Sequence, residues 1–485
     1  MKKTENKSQK HGRAKKIILA VTAVAVAAGA IGGGVALARS RRPVSVAQRP
    51  QPVETDNQPF VRNVTGESEN FRIPAMVTLE SGRIVAAADA RYDKTQDGGG
   101  LDTIVALSDD SGKTWKSYTA NYLGDNGNAF SPRSTAIMDP ELLTDGKNVW
   151  MLATFYSGGR NIVLRSGMKG ASKGSAFNED GTLKISSNHG LSYNCKVDIE
   201  NFVLGYSDIL KNNGDKTGFK IDECFNLYDE KGESAGNIFY IQGAMKYSVV
   251  PTTYLYLTCS TDGGESFGAP KLLNVKKENE TFYGVGPGRG VYTKDGTLVF
   301  SAYVFNKNAA GQKASFIYSE DGGKTWKRSA DIESDERFEY SGESQLIELS
   351  DGTLRCFFRN ASEHICYADA VKENGEYSWS TAVVTEVEST SSCMLSAITV
   401  ENGNESYILV SCPTGVQNGK HTRSNGKIFV FDANSMKLLK TTALPEGEFM
   451  YSCLSELKDG RIAMLFENRD GEITFTVFER EELLF

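Results

Sequence analysis

The chain has 485 residues, 40% of them hydrophobic and 24% charged, enough to bury one large core or two and a composition that excludes a disordered or fibrous protein. Its formal net charge of −7 divides unevenly: residues 1–50 carry eleven Lys/Arg against the single acid Glu5, a net of +10, which leaves −17 for residues 51–485. An acidic body repels a phosphate backbone and so speaks against nucleic acid as a main partner, while four His and eight Cys without a Cys-x-x-Cys pair speak against a zinc site or a Ser-His-Asp engine.

In chain order, residues 1–16 form a basic segment with seven Lys/Arg, in which His11 also lies, and residues 17–38 run for 22 positions without a charge. Such a run is long enough to cross a hydrocarbon core as a helix, and Ala36-Leu37-Ala38 is at the same time a small-x-small cleavage site. A signal peptide and a membrane anchor both fit. Either one places the body outside the cytoplasm, secreted or held at a membrane through this segment alone. Residues 39–59, with four Pro, read as a solvated linker. The Cys of an exported chain can pair in disulfides, and buried free thiols fit equally well.

After residue 60 the pattern is one of strands. Short alternating or apolar runs recur at Arg83–Ala88, Val149–Phe155, Tyr254–Cys259, Leu298–Val304, Leu354–Arg359 and Arg461–Glu467. Many follow a turn pair such as Ser81-Gly82, Asp295-Gly296, Asp351-Gly352 or Asp459-Gly460, so one hairpin unit is repeated along the chain. A second repeat is sharper: SDDSGKTW at 108–115, STDGGESF at 260–267 and SEDGGKTW at 319–326, with an altered fourth copy between Ala368 and Trp379. In each, the Asp carboxylate can accept turn amides, the Gly can supply φ > 0 and the aromatic can bury against the sheet.

These clasps resemble the Asp-boxes of six-bladed sialidase propellers, and Phe71-Arg72-Ile73-Pro74 resembles the family's Phe-Arg-Ile-Pro motif. The resemblance covers residues 60–485 and implies an all-β fold, a six-bladed β-propeller with a small inserted, mainly β domain. The first two clasps are 152 residues apart and the last two 59, which places the insertion at about residues 161–245. Without it, 341 residues of the body remain, about 57 for each of six blades.

The family's site residues transfer by position. Glu343, in Tyr340-Ser-Gly-Glu-Ser-Gln345, matches the catalytic Glu; Arg72, Arg359 and Arg423 match the three arginines that bind the substrate carboxylate. Tyr451 is the only Tyr after Arg423 and matches the nucleophile. Asp97, in a Gly-rich loop, matches the acid/base, and Glu467 the acid that steadies the first Arg. Arg91 and Asp139 resemble groups that contact the 4-hydroxyl region of the sugar.

The chemistry agrees with these residue types. Sialic acid carries a carboxylate on its anomeric carbon, and a planar guanidinium binds a carboxylate in a two-pronged geometry that Lys cannot copy. A carboxylate nucleophile beside that anion would be repelled, whereas a neutral Tyr would not, and sialidases are among the exceptions to the two-carboxylate scheme of glycoside hydrolysis. Phenol is a weak nucleophile, so Glu343 is expected to act as its base and the nearby arginines to favour the phenolate. Asp97 would protonate the leaving oxygen and then activate water on the same face, giving net retention.

The reading is therefore an exo-α-sialidase, a glycoside hydrolase of terminal sialic acids. It acts on sialylated glycoproteins, glycolipids and oligosaccharides as a monomer without metal or cofactor. One rival keeps the covalent step but transfers the sugar within or between molecules; another is a non-catalytic sialoglycan-binding propeller. The stretch GVGPGRG at 284–290 lacks the spacing of a phosphate loop and is expected to line the propeller mouth.

Overall fold

The computed structural model describes residues 50–92, 96–123, 135–162, 169–240, 245–305, 311–469 and 471–484. The basic segment 1–16, the uncharged run 17–38 and residues 39–49 of the linker lie outside these. Among the described residues, helix is limited to a short 3-10 turn at Thr65–Glu67 and one α-turn at Arg480–Leu483; the rest of the regular structure is β.

The strands form a succession of mostly antiparallel sheets. The first contains Phe71–Thr78, Ile84–Arg91, Leu101–Ser108 and Thr114–Asn121, with Val53–Asp56 on its outer edge. A single pairing, Leu101 with Ala136, joins it to the group Ala136–Thr144, Val149–Tyr156, Thr253–Ser260 and Lys271–Leu272. Later sheets are built around Leu298–Phe305, Leu354–Phe358, Glu405–Gln417 and Ile462–Arg469.

Apolar clusters weld each sheet to the next. Val77, Val85, Leu142 and Met151 share one cluster, Leu152, Leu257, Val285 and Phe300 another, and Leu346, Phe358, Val299 and Phe316 a third. Further along, Ile347 and Phe357 pack with Ala397 and Ile408, and Ile398 and Leu409 with Leu454 and Met464. The final cluster returns to the start, placing Leu465, Ile473 and Phe475 against Met76, Ala88, Ile104 and Trp115. The sheets thus close on themselves in a propeller arrangement. Full burial of each large apolar side chain contributes ~2 kcal/mol, and the interfaces between successive sheets are where these side chains are buried. Phe71 N–H donates to the Gly471 carbonyl (3.0 Å) across this closure, and Gln58 bonds both ways with the Phe475 backbone.

Val149–Tyr156 and Thr253–Ser260 pair residue for residue, although about a hundred residues separate them. Between them lies a separate antiparallel sheet of seven strands within residues 183–249. Its inner face (Ile209, Phe219, Ile221, Leu227) packs in one cluster with Phe155, Tyr254 and Tyr256. All eight Cys carry free thiols. The GVGPGRG stretch contributes Gly288–Arg289, which pairs in parallel with Glu141–Leu142 of a neighbouring sheet.

The three repeated clasps share one hydrogen-bond pattern. Asp110 Oδ1 accepts the amides of Lys113 and Thr114, its Oδ2 accepts the Thr114 hydroxyl, and Ser108 Oγ donates to Oδ1. Asp262 and Asp321 do the same with Ser266 and Thr325. Burial opposes ionisation of Asp262, but these donors outweigh it and bring the carboxyl down to about 2. The altered fourth copy differs: Asp369 is held by the Arg355 guanidinium (2.6 and 2.8 Å), and Asn374 and Gly375 form a plain hairpin turn. The bidentate Arg has replaced the turn amides as the partner of the carboxylate.

Trp115 of the first clasp stacks edge-on against Phe475 (5.0 Å) in the closing cluster. Gly112 beside it has φ +88°, and a Cβ there would meet the Phe475 ring at 2.1 Å. Gly352 has a similar φ of +86° with nothing within 4 Å. Gly112→Ala is expected to lose ~3 kcal/mol through strain and overpacking, and Gly352→Ala ~1 kcal/mol through strain alone. Denaturant unfolding of the two variants checks the difference; equal losses would remove the closing interface from this account.

Candidate active site

Strands of successive sheets deliver the candidate residues to one cavity. Arg72 sits at the start of Phe71–Thr78, Asp139 in Ala136–Thr144, Arg359 just after Leu354–Phe358, Arg423 in Lys420–Asp432, and Glu343 and Tyr451 immediately before Ser344–Glu348 and Ser452–Glu456. These six and Asp97 line a cavity of about 210 Å³, whose less polar side is formed by Met138, Tyr156, Ile162, Phe282 and Tyr303. Ile162 shows that the chain entering the 183–249 sheet supplies part of the wall.

Tyr451 is the centre of the polar side. Its phenol donates to Glu343 Oε2 at 2.5 Å, and Arg359 Nη1 reaches both Glu343 Oε2 (2.8 Å) and Tyr451 Oη (3.2 Å). The guanidinium carbons of Arg72 and Arg423 each lie 5.5 Å from the centroid of the Tyr451 ring, within cation–π range. Ile73, Cys393 and Met394 pack with Tyr451 in a small apolar cluster. Burial and the neighbouring Glu343 push the phenol well above its usual range, against the pull of Arg359 and Arg423. The arginines alone therefore do not yield a standing phenolate, because burial disfavours the charged form more strongly. Proton transfer to Glu343 is needed.

Two of the three arginines are already paired. Arg72 donates from Nε and Nη2 to the two oxygens of Glu467 (3.1 and 3.0 Å), and Arg359 pairs with Glu343. Arg423 donates only to the Ser392 carbonyl (3.1 Å) and forms no ion pair among the described residues. It is the arginine most open to an incoming anion.

Glu467 does more than neutralise Arg72. The strand Phe71–Thr78 is bulged after Arg72, and Ile73 takes a left-handed φ of +61°, a strained conformation for a β-branched residue. The amide released by the bulge donates to Glu467 Oε1 at 2.8 Å. One fully buried carboxylate thus holds an arginine and the bulge beside it.

The same device occurs one sheet on, around a residue that the motif comparison passed over. Asp89 is fully buried; its Oδ2 accepts Nε and Nη2 of Arg91 (3.2 and 2.8 Å). Its Oδ1 accepts the amide of Asp139 (2.9 Å), which sits at a bulge with φ +59°. Arg91 is also fully buried and does not line the cavity; it faces it through Asp97, to which Nη1 donates at 2.8 Å. The signal for Asp89 was present in the sequence: an acid and an arginine two residues apart in a strand share one face.

Charge follows this geometry. Burial raises Asp97, but Arg91, Arg72 and Arg359 outweigh it and hold the carboxyl below its ordinary range. Burial, with Asp89, Asp97 and Glu343 as like charges, pushes Asp139 well above its own. No cluster of His, Cys, Asp or Glu suited to a metal ion occurs among the described residues.

Glu467→Gln would keep the shape of the Arg72 bracket but remove its charge. Stability is expected to fall by about 3 kcal/mol, and affinity for a small carboxylate to fall as Arg72 loses its fixed orientation. Thermal unfolding and calorimetry of carboxylate binding measure the two; an unchanged affinity would show that Arg72 is not held by Glu467.

Residues 73–437 match the BNR repeat-like domain family. The chain is 28% identical over 468 residues to an anhydrosialidase of Macrobdella decora, covering 84% of this chain and 58% of that protein. It is 27% identical to sialidase B of Streptococcus pneumoniae, covering 84% and 62%. The chain therefore spans about three-fifths of the length of these relatives. Among solved structures, it is similar to the intramolecular trans-sialidase of Ruminococcus gnavus in complex with oseltamivir carboxylate, at 27% identity and a TM-score of 0.71 over 86% of this chain and 96% of that one. A leech intramolecular trans-sialidase complexed with 2,7-anhydro-Neu5Ac superposes with a TM-score of 0.72 at 25% identity, covering 86% and 69%.

Proposed function

Since the chain belongs to the BNR repeat-like domain family, we propose that it is an exo-α-sialidase that cleaves terminal sialic acids from glycoproteins, glycolipids or oligosaccharides with retention. The observation that carries this reading is the 2.5 Å bond from the Tyr451 phenol to Glu343 beneath the guanidinium groups of Arg72, Arg359 and Arg423. A lectin needs the arginines but has no use for a phenol paired with a base.

The substrate carboxylate binds to Arg423 and to the free edges of Arg72 and Arg359. Glu343 takes the phenol proton, and Tyr451 Oη attacks the anomeric carbon while Asp97 protonates the departing oxygen. Water then enters along the path of the leaving group, Asp97 takes its proton, and the Tyr–sugar bond breaks as Glu343 returns the phenol proton to Tyr451 Oη. For Asp97 the sign matters: in the free enzyme three arginines keep it ionised. A bound carboxylate offsets the charge of Arg72 and Arg359 and excludes water. Both effects raise Asp97 towards the protonated form that an acid needs.

We further propose six blades. The ten-stranded first sheet is held together between its halves by one pairing only, and treating these halves as separate blades gives one blade for each of the six apolar interfaces. The 183–249 sheet is then a domain inserted in the second blade. The enzyme works outside the cytoplasm, released or tethered by residues 17–38.

A second reading, transfer to a hydroxyl of the same sugar, is supported by the likeness to the two intramolecular trans-sialidases. Incubation with a fluorogenic α-sialoside followed by identification of the sugar separates the two: free sialic acid is expected, and an anhydro sugar would replace hydrolysis with intramolecular transfer. Tyr451→Phe should lose at least about a thousandfold in kcat while retaining affinity for a sialic-acid analogue. Unchanged turnover would remove Tyr451 as nucleophile.

A further inference from the structure

Two buried carboxylates in this molecule do the same mechanical work. Glu467 holds Arg72 and the amide of Ile73; Asp89 holds Arg91 and the amide of Asp139. In both, an innermost strand is bulged, the bulged residue has a positive φ, and the carboxylate comes from a neighbouring strand. Each carboxylate accepts three hydrogen bonds spread over both of its oxygens, which fixes it in one orientation.

We propose that Asp89 is a positioning residue for the acid/base Asp97, locking Arg91 by its Nε–Nη2 edge so that only Nη1 is presented to the Asp97 carboxylate. The inference rests on the assignment of Asp97 as acid/base made above. Without Asp89, Arg91 would be free to turn its two-pronged edge to Asp97 and hold it as a tight ion pair. With Asp89 in place, Asp97 receives a single hydrogen bond at 2.8 Å from a guanidinium whose charge is already shared with a second carboxylate. Asp97 can then leave Arg91 for the glycosidic oxygen. Asp89 also carries Asp139, so one side chain sets the relative placement of two groups on the cavity wall.

The charged groups around Asp97 come from several elements: Arg72 and Arg91 from the first sheet, Arg359 from just after Leu354–Phe358, and Asp89 and Asp139 as like charges. Tyr156 also lies within electrostatic reach. Replacing Asp89 by a neutral group removes a negative charge and releases a positive one. Both changes favour ionised Asp97. The protonated form is then lost at lower pH, and the basic limb of kcat/KM should move down by about one pH unit.

The test is Asp89→Asn, assayed across pH on two substrates. On a sialoside with a poor alkoxide leaving group, such as sialyllactose, kcat is expected to fall about tenfold near neutrality with the basic limb displaced to lower pH. On a 4-methylumbelliferyl sialoside, whose leaving group needs little protonation, kcat should change less than threefold. Equal losses on both substrates with an unmoved limb would overturn the proposal and leave Asp89 a purely structural residue. If Asp89→Asn does not fold, Arg91→Gln provides the second reading, since removing the cation should move the basic limb to higher pH; an unmoved limb would overturn the proposal there too. A wild-type enzyme inactive on both substrates would instead overturn the sialidase reading itself.

Discussion

Three guanidinium groups cannot crowd around one buried phenol unless fixed negative charges hold them there. Arg72, Arg359 and Arg423 all approach Tyr451, and burial alone would favour neither their charge nor their proximity. Glu467 and Glu343 supply the opposing charge, and Asp89 does so for Arg91 behind Asp97. The bulges at Ile73 and Asp139 follow from the same need. A regular strand would spend those amides on the ladder, whereas a bulge frees them to orient the carboxylates.

The balance is left incomplete on purpose at one point. Arg423 has no acidic partner among the described residues, so an incoming carboxylate completes the set. On the proposed function, this reconciles a body of net charge −17 with an anionic substrate. The global field opposes approach, and selectivity rests on contacts of a few Å inside a cavity that bulk ions screen little. In the proposed mechanism, a bound carboxylate would also change the electrostatics that Asp97 experiences, linking its recognition to protonation of the leaving group.

Some of this was legible in the sequence and some was not, for physical reasons. The clasps at Asp110, Asp262 and Asp321 are complete within eight residues, so local spacing describes them. The copy near Asp369 shows the limit: its residue types survive, but Arg355 on the neighbouring strand captures the carboxylate. Chain order and motif context picked out Arg72, Glu343, Arg359, Arg423 and Tyr451, but not the electrostatics that keep the phenol protonated, which depend on burial by Ile73, Cys393 and Met394. For Asp89 the sequence carried the pairing with Arg91 on one strand face but not the second partner. The importance of Asp89 lies in a contact with Asp139, fifty positions away, made only because a bulge turns one amide out of its ladder.

The central claim is that the phenol of Tyr451 bonds covalently to the sugar. A sialosyl fluoride bearing a second fluorine at C3 tests it directly, since fluoride leaves without an acid and the C3 fluorine slows the second step. After incubation and digestion, mass spectrometry should place one sugar adduct on the peptide containing Tyr451 and specifically on its phenol oxygen. An active enzyme yielding no adduct, or an adduct on Glu343 or Asp97, would contradict the account.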